Sequence, residues 1–558
     1  MSVPELLNNV LHVDLPRSVQ IFAPELVLCG TIVALLLVRM FEWHRTVPTS
    51  WVALFGTLAA FLGVFTQFMY IKSGGELESL AGMFHFWGLT HEGVGTTGSY
   101  FTGLLMHDSF AVFFRLGLLL FLVLVEALTI LTGIPDQDDG QDFYTLLIGS
   151  TLGMLLAVGT NNLLMLFVAI EMMSVPSYAM VAFLKGRKTS SEAAFKYVVY
   201  GAGIAGVMLY GVSLLSGVLG TMEFGELGSR FVLLMGNQPF SLTNPTAVAT
   251  ILGILLVLVG IAFKLSLVPF HFWCPDAFEG ASAEVAGFLS VASKAGAFAL
   301  LVRFALAFSP VGMDSPALQT LCLIFGISLG VVSILSMTFG NLAAYTQTNL
   351  KRLLAYSTIA HAGYMVMSVS ALMAILSGSA NPESAAGCIE GLMYYIAVYL
   401  FMNLTAFAVV ALVRNETFRE DIDSYNGLAY GGPVTKLVCV CLLLAFVSLV
   451  GLPPLAGFFG KFAIFASAYK AGSDHWFLWV VLVLGGLNTV FSLFYYLRVL
   501  RAVFILPPAS EQKTVEIPGL VGAYVALITL PIIALGATFL MGDLAATAHD
   551  VAAQLFHV

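Results

Sequence analysis

Six cationic side chains lie inside long apolar segments of this 558-residue sequence. They are Arg115, Lys196, Lys264, Lys294, Arg303 and Lys461, and the carboxylate of Glu171 lies near the middle of another such segment. If these segments cross a membrane, each buried charge costs at least roughly 2.5–3.5 kcal/mol and is a candidate for function. Burial disfavours the charged form of lysine and of glutamate alike, so groups of both types can accept and release protons there. The residue types therefore indicate proton transfer inside a membrane.

Four of these residues are the main candidates. Lys294, in SVASKAGAF, lies near the middle of its segment, where a lysine side chain is too short to reach either membrane surface. Glu171, in LLMLFVAIEMMSVPSY, lies at a similar depth. Lys264 and Lys461 lie beside prolines in FKLSLVPFHFW and GLPPLAGFFGKF, and interrupted helices at membrane depth mark ion sites in transporters. The alternative for these two lysines is that each side chain extends to the nearer membrane surface.

Lys196 and His361 are auxiliary candidates. Thr189-x-x-Glu192 matches a capping box, which predicts a helix start at Thr189 and places Lys196 about two turns inside. Glu192 and Lys196 also have the spacing of an ion pair on one helix face, so the alternative is a paired lysine near the helix start. His361, in STIAHAGYM, either relays protons or is a core histidine with satisfied hydrogen bonds.

Three further charges in the segments have weaker claims to a proton-transfer role. Arg303 lies near the end of its segment, and we expect its side chain to extend to the membrane surface. Arg115 and Glu126 share a segment, and we expect them to contact other helices or other subunits.

The apolar segments that position these charges indicate an all-α polytopic membrane protein. The sequence is 59% hydrophobic and 10% charged, whereas a soluble domain has about 25% charged residues. Backbone groups in lipid must be paired internally, so apolar runs of this length form helices. We predict fourteen spans at about 22–40, 51–71, 109–131, 143–159, 161–184, 189–218, 248–270, 281–308, 316–337, 352–375, 387–413, 434–468, 476–504 and 517–541. The span 434–468 is too long for one straight helix, about 50 Å, so we expect a break at Pro453-Pro454.

The distribution of lysine and arginine predicts the orientation. Numbered from the first span, the odd loops and adjoining span ends hold thirteen of these residues, and the even loops with both tails hold four. We therefore expect a multi-pass protein of a bacterial inner membrane with the odd loops in the cytoplasm and both termini outside. The thirteen are Arg39, Arg45, Lys185, Arg187, Lys188, Lys351, Arg352, Arg414, Arg419, Lys436, Arg498, Arg501 and Lys513, and the four are Arg17, Lys72, Arg230 and Lys470.

The sequence carries no motif for a cofactor. Its six cysteines are scattered, without a CxxC set for zinc or iron–sulfur and without an implied disulfide framework. There is no GxGxxG, no P-loop and no histidine pair at heme-ligand spacing in one helix, so we expect no cofactor and no redox centre in this chain. No basic run suggests nucleic acid, and the first twenty residues lack the pattern of a signal peptide.

Six motifs together resemble the antiporter-like, proton-translocating subunits of NADH:quinone oxidoreductase (complex I). They are HFWCPDAFEGASAEVAGFLSVASKAGAFALLVR, STLGMLLAVGTNNLLMLFVAIEMMS, SEAAFKYVVYGAGIAGVMLYG, NLKRLLAYSTIAHAGYM, YLFMNLTAFAVV and GLPPLAGFFGKF, and they cover roughly residues 100–505. The SVASK ending is similar to the subunit N branch, the counterpart of mitochondrial subunit 2. FKLSLVPFHFW and LVGLPPLAGFFGKF also echo each other, since each places a lysine beside a proline break. Paired interruptions of this kind are typical of a transporter built from repeats.

The resemblance implies fourteen helices, with helices 1–3 in residues 1–142 and helix 14 and the tail in 505–558. Between them it implies two inverted five-helix repeats, 143–308 and 316–504, with interrupted helices 7 and 12 and a half-channel in each repeat. It further implies that NAD, FMN, iron–sulfur clusters and quinone belong to the whole complex, and that other membrane-arm subunits and the lipid bilayer surround the chain. The implied proton-transfer residues are Glu171 and Lys264 as the first charged pair, Lys294 as the connecting lysine, Lys461 as the second-repeat lysine, and Lys196 and His361 as auxiliary positions.

The sequence departs from the family in three places. The segment that usually reads GAPTPV is Gly280-Ala281-Ser282-Ala283-Glu284-Val285, which adds the carboxylate of Glu284 near the start of the eighth helix. Arg115 lies where a lysine is common, and the stretch 72–108 is long for subunit N.

Two other functions remain open on the sequence alone. One is a subunit of a cation/proton antiporter or of a membrane-bound hydrogenase with the same fold, and the other is a structural subunit that no longer pumps. The lysine of GFFGKF and the SVASK ending favour the proton pump over the antiporter, and the presence of Glu171, Lys264, Lys294 and Lys461 argues against a purely structural role.

Overall fold

The structure is a computed structural model that describes residues 8, 10–43, 47–73, 97–135, 139–184, 186–236, 240–313, 315–378, 381–508, 515–537 and 540–556. Most of the 72–108 insertion, and the predicted loop cations Arg45, Lys185 and Lys513, therefore lie outside the described residues.

The described chain is almost entirely helical. Its helices are α1 (Leu15–Ile21), α2 (Ala23–Met40), α3 (Thr49–Lys72), α4 (Ser109–Thr132), α5 (Gly140–Gly159), α6 (Leu163–Val181), α7 (Lys188–Leu219), α8 (Phe224–Met235), α9 (Pro245–Lys264), α10 (Trp273–Gly280), α11 (Ala283–Leu306), α12 (Pro316–Ala344), α13 (Leu350–Ser377), α14 (Pro382–Thr417), α15 (Pro433–Val450), α16 (Ala456–Gly472), α17 (Phe477–Phe504), α18 (Gly519–Ala537) and α19 (Leu540–Gln554). A π-helical turn at Val10–Asp14 and two 3-10 turns at Ile422–Tyr425 and Leu428–Tyr430 complete the helical parts. Strands β1 (Gly98–Tyr100) and β2 (Leu105–His107) pair antiparallel just before α4.

Within the described residues, fourteen helices are long and apolar enough to cross a membrane, which confirms the predicted number. They are α2 to α7, α9, α11 to α15, α17 and α18. Several boundaries differ from the sequence prediction, and the span predicted at 387–413 is the longer helix α14. The side chain of Asn381 caps its start by accepting the N–H of Glu383, and a left-handed Phe418 with φ 56° ends it.

Polar side chains set the starts of several helices. Asn162 and Asn349 cap α6 and α13 by accepting backbone N–H groups, and Ser282 caps α11 in the same way. The capping box predicted at Thr189 is wrong, because α7 begins at Lys188 and its start has no side-chain cap.

The centre of the bundle is formed by α11 and α13. Nearly every residue of these two helices is buried, including the polar ones. By contrast, α7 and α17 expose large apolar side chains such as Phe195, Tyr210, Val483 and Phe494. Charges on α11 and α13 are thus far from lipid, whereas α7 and α17 offer the apolar faces that lipid or other subunits cover.

Two proline-containing segments separate helices in the middle of the chain. Between Lys264, the last residue of α9, and Trp273, the first of α10, the chain is non-helical and contains Pro269. Between α15 and α16 it passes through Gly451, with φ 88°, and two prolines. Proline cannot donate to the helical ladder, so backbone carbonyls near these breaks are free to accept side-chain donors.

Candidate functional site

Lys264 lies at the first of these breaks and is fully buried. Its Nζ donates to the hydroxyl of Ser174 at 3.2 Å and to the main-chain oxygen of Met173 at 3.4 Å, both on α6. Glu171 lies on the same helix, less than one turn earlier, and interacts electrostatically with the Lys264 ammonium. The structure thus brings together the predicted pair, with the two charges separated by more than the 4 Å of a direct ion pair.

Several donors converge on the Met173 carbonyl beside Lys264. The hydroxyls of Ser177 and Ser150 donate to this oxygen at 2.6 and 2.9 Å. A cluster of hydroxyls around one carbonyl gives the ammonium of Lys264 a polar environment that the surrounding apolar side chains do not provide. The indole Nε1 of Trp273 donates to the Phe263 oxygen at 2.9 Å and fixes the break itself.

Lys294 lies in the middle of α11 with 2% of its surface exposed. Its Nζ donates to the main-chain oxygen of Thr358 on α13 at 2.7 Å. The predicted midplane lysine therefore points into the bundle and not toward a membrane surface.

His361 lies one turn beyond Thr358 on α13 and is 1% exposed. Its Nδ1 is 2.5 Å from the hydroxyl of Tyr395, and its Nε2 is 3.4 Å from the hydroxyl of Tyr496. The ring interacts electrostatically with both Lys294 and Lys461. His361 consequently lies between the two lysines and has a hydroxyl partner at each ring nitrogen.

Lys461 lies in α16, beyond the second break, and is 3% exposed. Its Nζ donates at 3.0 Å to the oxygen of Val450, the last residue of α15. The same ammonium is 4.6 Å from the ring centroid of Tyr364, which is a cation–π contact. A carbonyl at a helix C-terminus and an aromatic face both attract a positive charge.

Lys196 has a different environment from the other lysines. Its side chain is 40% exposed and forms ion pairs of 2.8 Å with Glu192 and with Asp276 of α10. Asp276 also pairs with Arg352 at 2.6 Å. Burial raises the pKa of Asp276, but the hydrogen bonds from Lys196 and Arg352 outweigh it and hold that pKa below its ordinary value. The alternative of a paired lysine near the helix start describes Lys196 in this structure.

Lys351 differs from its prediction as a loop cation, and Arg303 forms a buried ion pair. Lys351, counted among the loop cations, is fully buried and forms a 2.8 Å ion pair with Glu420, because α13 begins at Leu350 and turns this side chain inward. Arg303 is nearly buried in the protein, with its side chain 9% exposed, and it pairs at 2.7 Å with Asp108, the N-cap residue of α4. Burial raises the pKa of Asp108, and the Arg303 guanidinium overcomes this and lowers it.

The charges of the first helices contact other helices, as expected. Arg115 forms a 2.6 Å ion pair with Glu25 of α2 and donates to the Gln67 amide oxygen of α3 at 3.1 Å. Glu126 accepts a hydrogen bond of 2.9 Å from the hydroxyl of Thr57.

Sequence reasoning missed the hydroxyl groups of the site. Ser174, Tyr395 and Tyr496 contact Lys264 or His361, yet each belongs to a residue type that is common in membrane helices. One signal was available: Ser174 follows Glu171 by three residues and so lies on the same face of α6. In the described part of the chain, no group of three or more His, Cys, Asp and Glu residues could hold a metal ion.

Comparison with known proteins gives matches along most of the chain. Residues 160–491 match the family described as NADH:quinone oxidoreductase/Mrp antiporter, TM. The chain is 36% identical over 550 residues to NADH-quinone oxidoreductase subunit N 1 of Koribacter versatilis (strain Ellin345), covering 96% of this chain and 94% of that protein. It is 40% identical over 433 residues to NADH-quinone oxidoreductase subunit N of Anaeromyxobacter sp. (strain Fw109-5), covering 75% of this chain and 79% of the relative.

Solved structures show the same fold. A chain of respiratory complex I from Thermus thermophilus with bound aureothin superposes with a TM-score of 0.68 at 28% identity, covering 94% of this chain and 99% of that one. A chain of the Mrp complex from Dietzia sp. DQ12-45-1b superposes with a TM-score of 0.73 at 19% identity, covering 96% and 97%, and this likeness concerns the fold alone.

Proposed function

The chain belongs to the NADH:quinone oxidoreductase/Mrp antiporter family, among the subunit N proteins of NADH-quinone oxidoreductase, and from this premise we propose that its buried lysines carry protons across the membrane. As a membrane-arm subunit it is driven by electron transfer that takes place in other subunits. The proton carriers are Glu171, Lys264, Lys294, His361 and Lys461.

The observation that carries this proposal is the position of His361 between Lys294 and Lys461. Its imidazole interacts with both ammonium groups, and the hydroxyls of Tyr395 and Tyr496 lie at its two ring nitrogens. An imidazole accepts a proton at one nitrogen and releases another from the other nitrogen, which makes it a suitable relay between two lysines.

In the first half of the chain the transfer step uses Lys264 and Glu171. The carboxylate favours a charged Lys264, and the hydroxyl of Ser174 and the Met173 carbonyl accept hydrogen bonds from that ammonium. When the carboxylate is neutralised or a second positive charge arrives, Lys264 releases its proton toward the next carrier.

Several further features belong to the same proposal. The two halves, 143–308 and 316–504, act as inverted repeats, each with one interrupted helix and one half-channel. Both termini lie outside the inner membrane, on the basis of the loop cations. NAD, FMN, iron–sulfur clusters and quinone bind to other subunits, and this chain contacts neighbouring membrane-arm subunits through its exposed apolar helices.

The test is Lys294→Ala in the assembled complex. Proton pumping driven by NADH in inverted vesicles is expected to fall strongly, because the carrier between the two halves is lost. Lys294→Arg is expected to fall as well, since a guanidinium does not give up its proton. The matched control is Lys470→Ala, which removes an exposed lysine of α16.

Normal pumping by Lys294→Ala, with the amount of assembled complex equal to wild type, would refute the proposal. Sodium-free buffer separates the proton pump from a sodium/proton antiporter, because only the antiporter needs sodium to move protons.

A further inference from the structure

Glu284 is a buried carboxylate that is not among the proposed proton carriers. It lies in the first turn of α11, after the N-cap Ser282, and 1% of its surface is exposed. Neither carboxylate oxygen accepts a hydrogen bond from any residue that the structure describes. Buried polar groups are nearly always hydrogen-bonded, so this carboxylate needs a partner that is not a protein side chain.

Lys351, the cation beside Glu284, forms its hydrogen bonds and its ion pair with other groups. Lys351 interacts electrostatically with Glu284, but its Nζ donates to the main-chain oxygens of Glu279 and Ala281 at 2.9 and 2.6 Å. The same ammonium forms the 2.8 Å ion pair with Glu420. Glu284 therefore lies beside a buried cation without receiving a hydrogen bond from it.

Two buried polar side chains of α14, Asn403 and Tyr399, lack normal hydrogen bonds and lie deeper in the bundle than Glu284. Asn403 of α14 is fully buried, and neither atom of its side-chain amide has a normal hydrogen bond to the described chain. The hydroxyl of Tyr399, one turn away on α14, interacts with the Asn403 side chain but makes no hydrogen bond of normal geometry. The Tyr399 ring lies 5.3 Å from the ring of His361.

The packing of α11 against α14 gives the depth of Asn403 relative to Glu284 and Lys294. The Cβ of Phe407 on α14 lies 3.0 Å from where a Cβ would be at Gly287, so the two helices approach closely one turn from Glu284. These helices are separated by two other spans and run in opposite directions. Asn403 consequently lies between the levels of Glu284 and of Lys294, which is about 15 Å further along α11.

We propose that Glu284 is a proton-binding residue that takes up protons at this end of the bundle and passes them to Lys294 through water held by Asn403 and Tyr399. Water can supply the hydrogen bonds that this carboxylate, the amide and the hydroxyl lack. In this step a proton from the aqueous phase binds a carboxylate oxygen of Glu284. It then leaves that oxygen, moves along the water molecules and binds the neutral amine of Lys294, so that Glu284 is again ionised.

The inference rests on the proposed proton-transfer role of Lys294. The alternative is a purely structural role, in which Glu284 balances the positive charges of Lys351 and Arg414. Arg414 belongs to the same charged cluster, since it lies 3.6 Å from Glu420. The two roles differ in what happens when the positive charge is removed together with the carboxylate.

The experiment compares Glu284→Gln with the double variant Glu284→Gln/Lys351→Gln in the assembled complex. Pumping is expected to fall several-fold in both variants and to be partly restored in Glu284→Asp. Infrared difference spectra recorded on reduction with NADH are expected to show a carboxylic acid band in wild type that Glu284→Gln lacks. The matched control is Glu279→Gln, which removes the 39% exposed carboxylate that pairs with Arg352 and is expected to pump normally.

Three results would contradict the proposed role of Glu284 or the proposed water path. Normal pumping by Glu284→Gln excludes a role in proton uptake, and restoration by the double variant shows that Glu284 only balances charge. Asn403→Leu leaves the charged cluster intact and is expected to slow pumping while keeping the infrared band, so normal pumping by this variant rules out the water path. If Lys294→Ala itself pumps normally, the proposed function fails, which is a separate result.

Discussion

The two interrupted helices each carry a buried lysine, but the surroundings of these lysines differ. Lys264 lies near the carboxylate of Glu171 and donates to a hydroxyl and a carbonyl of α6. Lys461 has no ion-pair partner within the described residues and relies on the Val450 carbonyl and the ring of Tyr364. One lysine is thus balanced by a formal negative charge and the other by dipoles and an aromatic face.

This difference assigns different triggers to the two halves. In the proposed mechanism, the charge on Lys264 depends on the carboxylate of Glu171, and an arriving proton neutralises that carboxylate. The charge on Lys461 responds to the state of His361, which interacts with it from inside the same chain. In this proposal the first half is controlled through Glu171, and the second half is controlled through His361.

The buried ion pair between Arg115 and Glu25 is an example of charges that do not change, in contrast to the two lysines. Arg115 and Glu25 are 2.6 Å apart, both 2% exposed, and Gln67 accepts a further hydrogen bond from the guanidinium. Arginine keeps its proton in proteins, so this pair stabilises the packing of α2, α3 and α4 without moving protons. The looser contacts of Lys264 and Lys461 suit groups that must change charge.

The strongest test of the comparison is Glu171→Gln. It keeps the shape of the side chain and removes the charge that balances Lys264, so the complex is expected to assemble. Pumping and quinone reductase activity are expected to fall together, on the order of 100-fold, the lower end of the contribution of a positioned proton-transfer group. Glu171→Asp keeps the charge on a shorter stem and is expected to retain partial activity.

Both activities are measured in membranes with the assembled complex quantified. Wild-type activity of Glu171→Gln would mean that the carboxylate is only a helix contact, and the distinction between the two lysines would then lose its basis.

The depth of the charged residues could be predicted from the sequence, but their partners could not. Lys264, Lys294 and Lys461 stand out because each interrupts an apolar run, and a buried charge is rare enough to be informative. The hydroxyl of Tyr496, which lies by His361, is 135 residues away in the chain, and no local pattern identifies it.

The burial of Lys351 was not predicted from the sequence. The position of Lys351 next to Arg352 at a helix start indicated a solvated loop cation, yet Lys351 is fully buried, whereas the Arg352 side chain is 29% exposed. Lys351 turns inward because the carbonyls of Glu279 and Ala281 and the carboxylate of Glu420 receive it, and these contacts arise only when distant helices pack. Burial of a terminal residue depends on tertiary contacts that periodicity does not encode.

A smaller effect is expected at the second lysine. Tyr364→Leu removes the aromatic face 4.6 Å from the Lys461 ammonium, and a desolvated cation–π contact contributes about 2 kcal/mol. Pumping is expected to fall a few-fold, while Tyr364→Phe, which keeps a ring, stays close to wild type. Initial pumping rates in vesicles give the comparison, and equal rates for the two variants would show that the ring does not stabilise the charge.

The smallest effect is expected at Lys196, because its ion pairs lie at the surface. Exposed pairs contribute about 0–1 kcal/mol, so Lys196→Gln is expected to pump within about twofold of wild type. Arg352 remains bonded to Asp276 in this variant. The pKa of Asp276 lies below its ordinary value in the folded protein, so the stabilisation from its ion pairs is present above that ordinary value and is lost only as the pH falls below it.

Between about pH 6 and pH 8, Asp276 is therefore ionised throughout, and the ratio of the Lys196→Gln rate to the wild-type rate is expected to stay constant. The measurement is the initial pumping rate of both proteins at several pH values in this range. A strong loss of pumping, or a ratio that changes with pH, would place Lys196 among the proton carriers and remove the contrast between the exposed lysine and the buried ones. A constant ratio near one would leave the carriers where burial is complete, at Lys264, Lys294 and Lys461, which is the physical basis of the comparison.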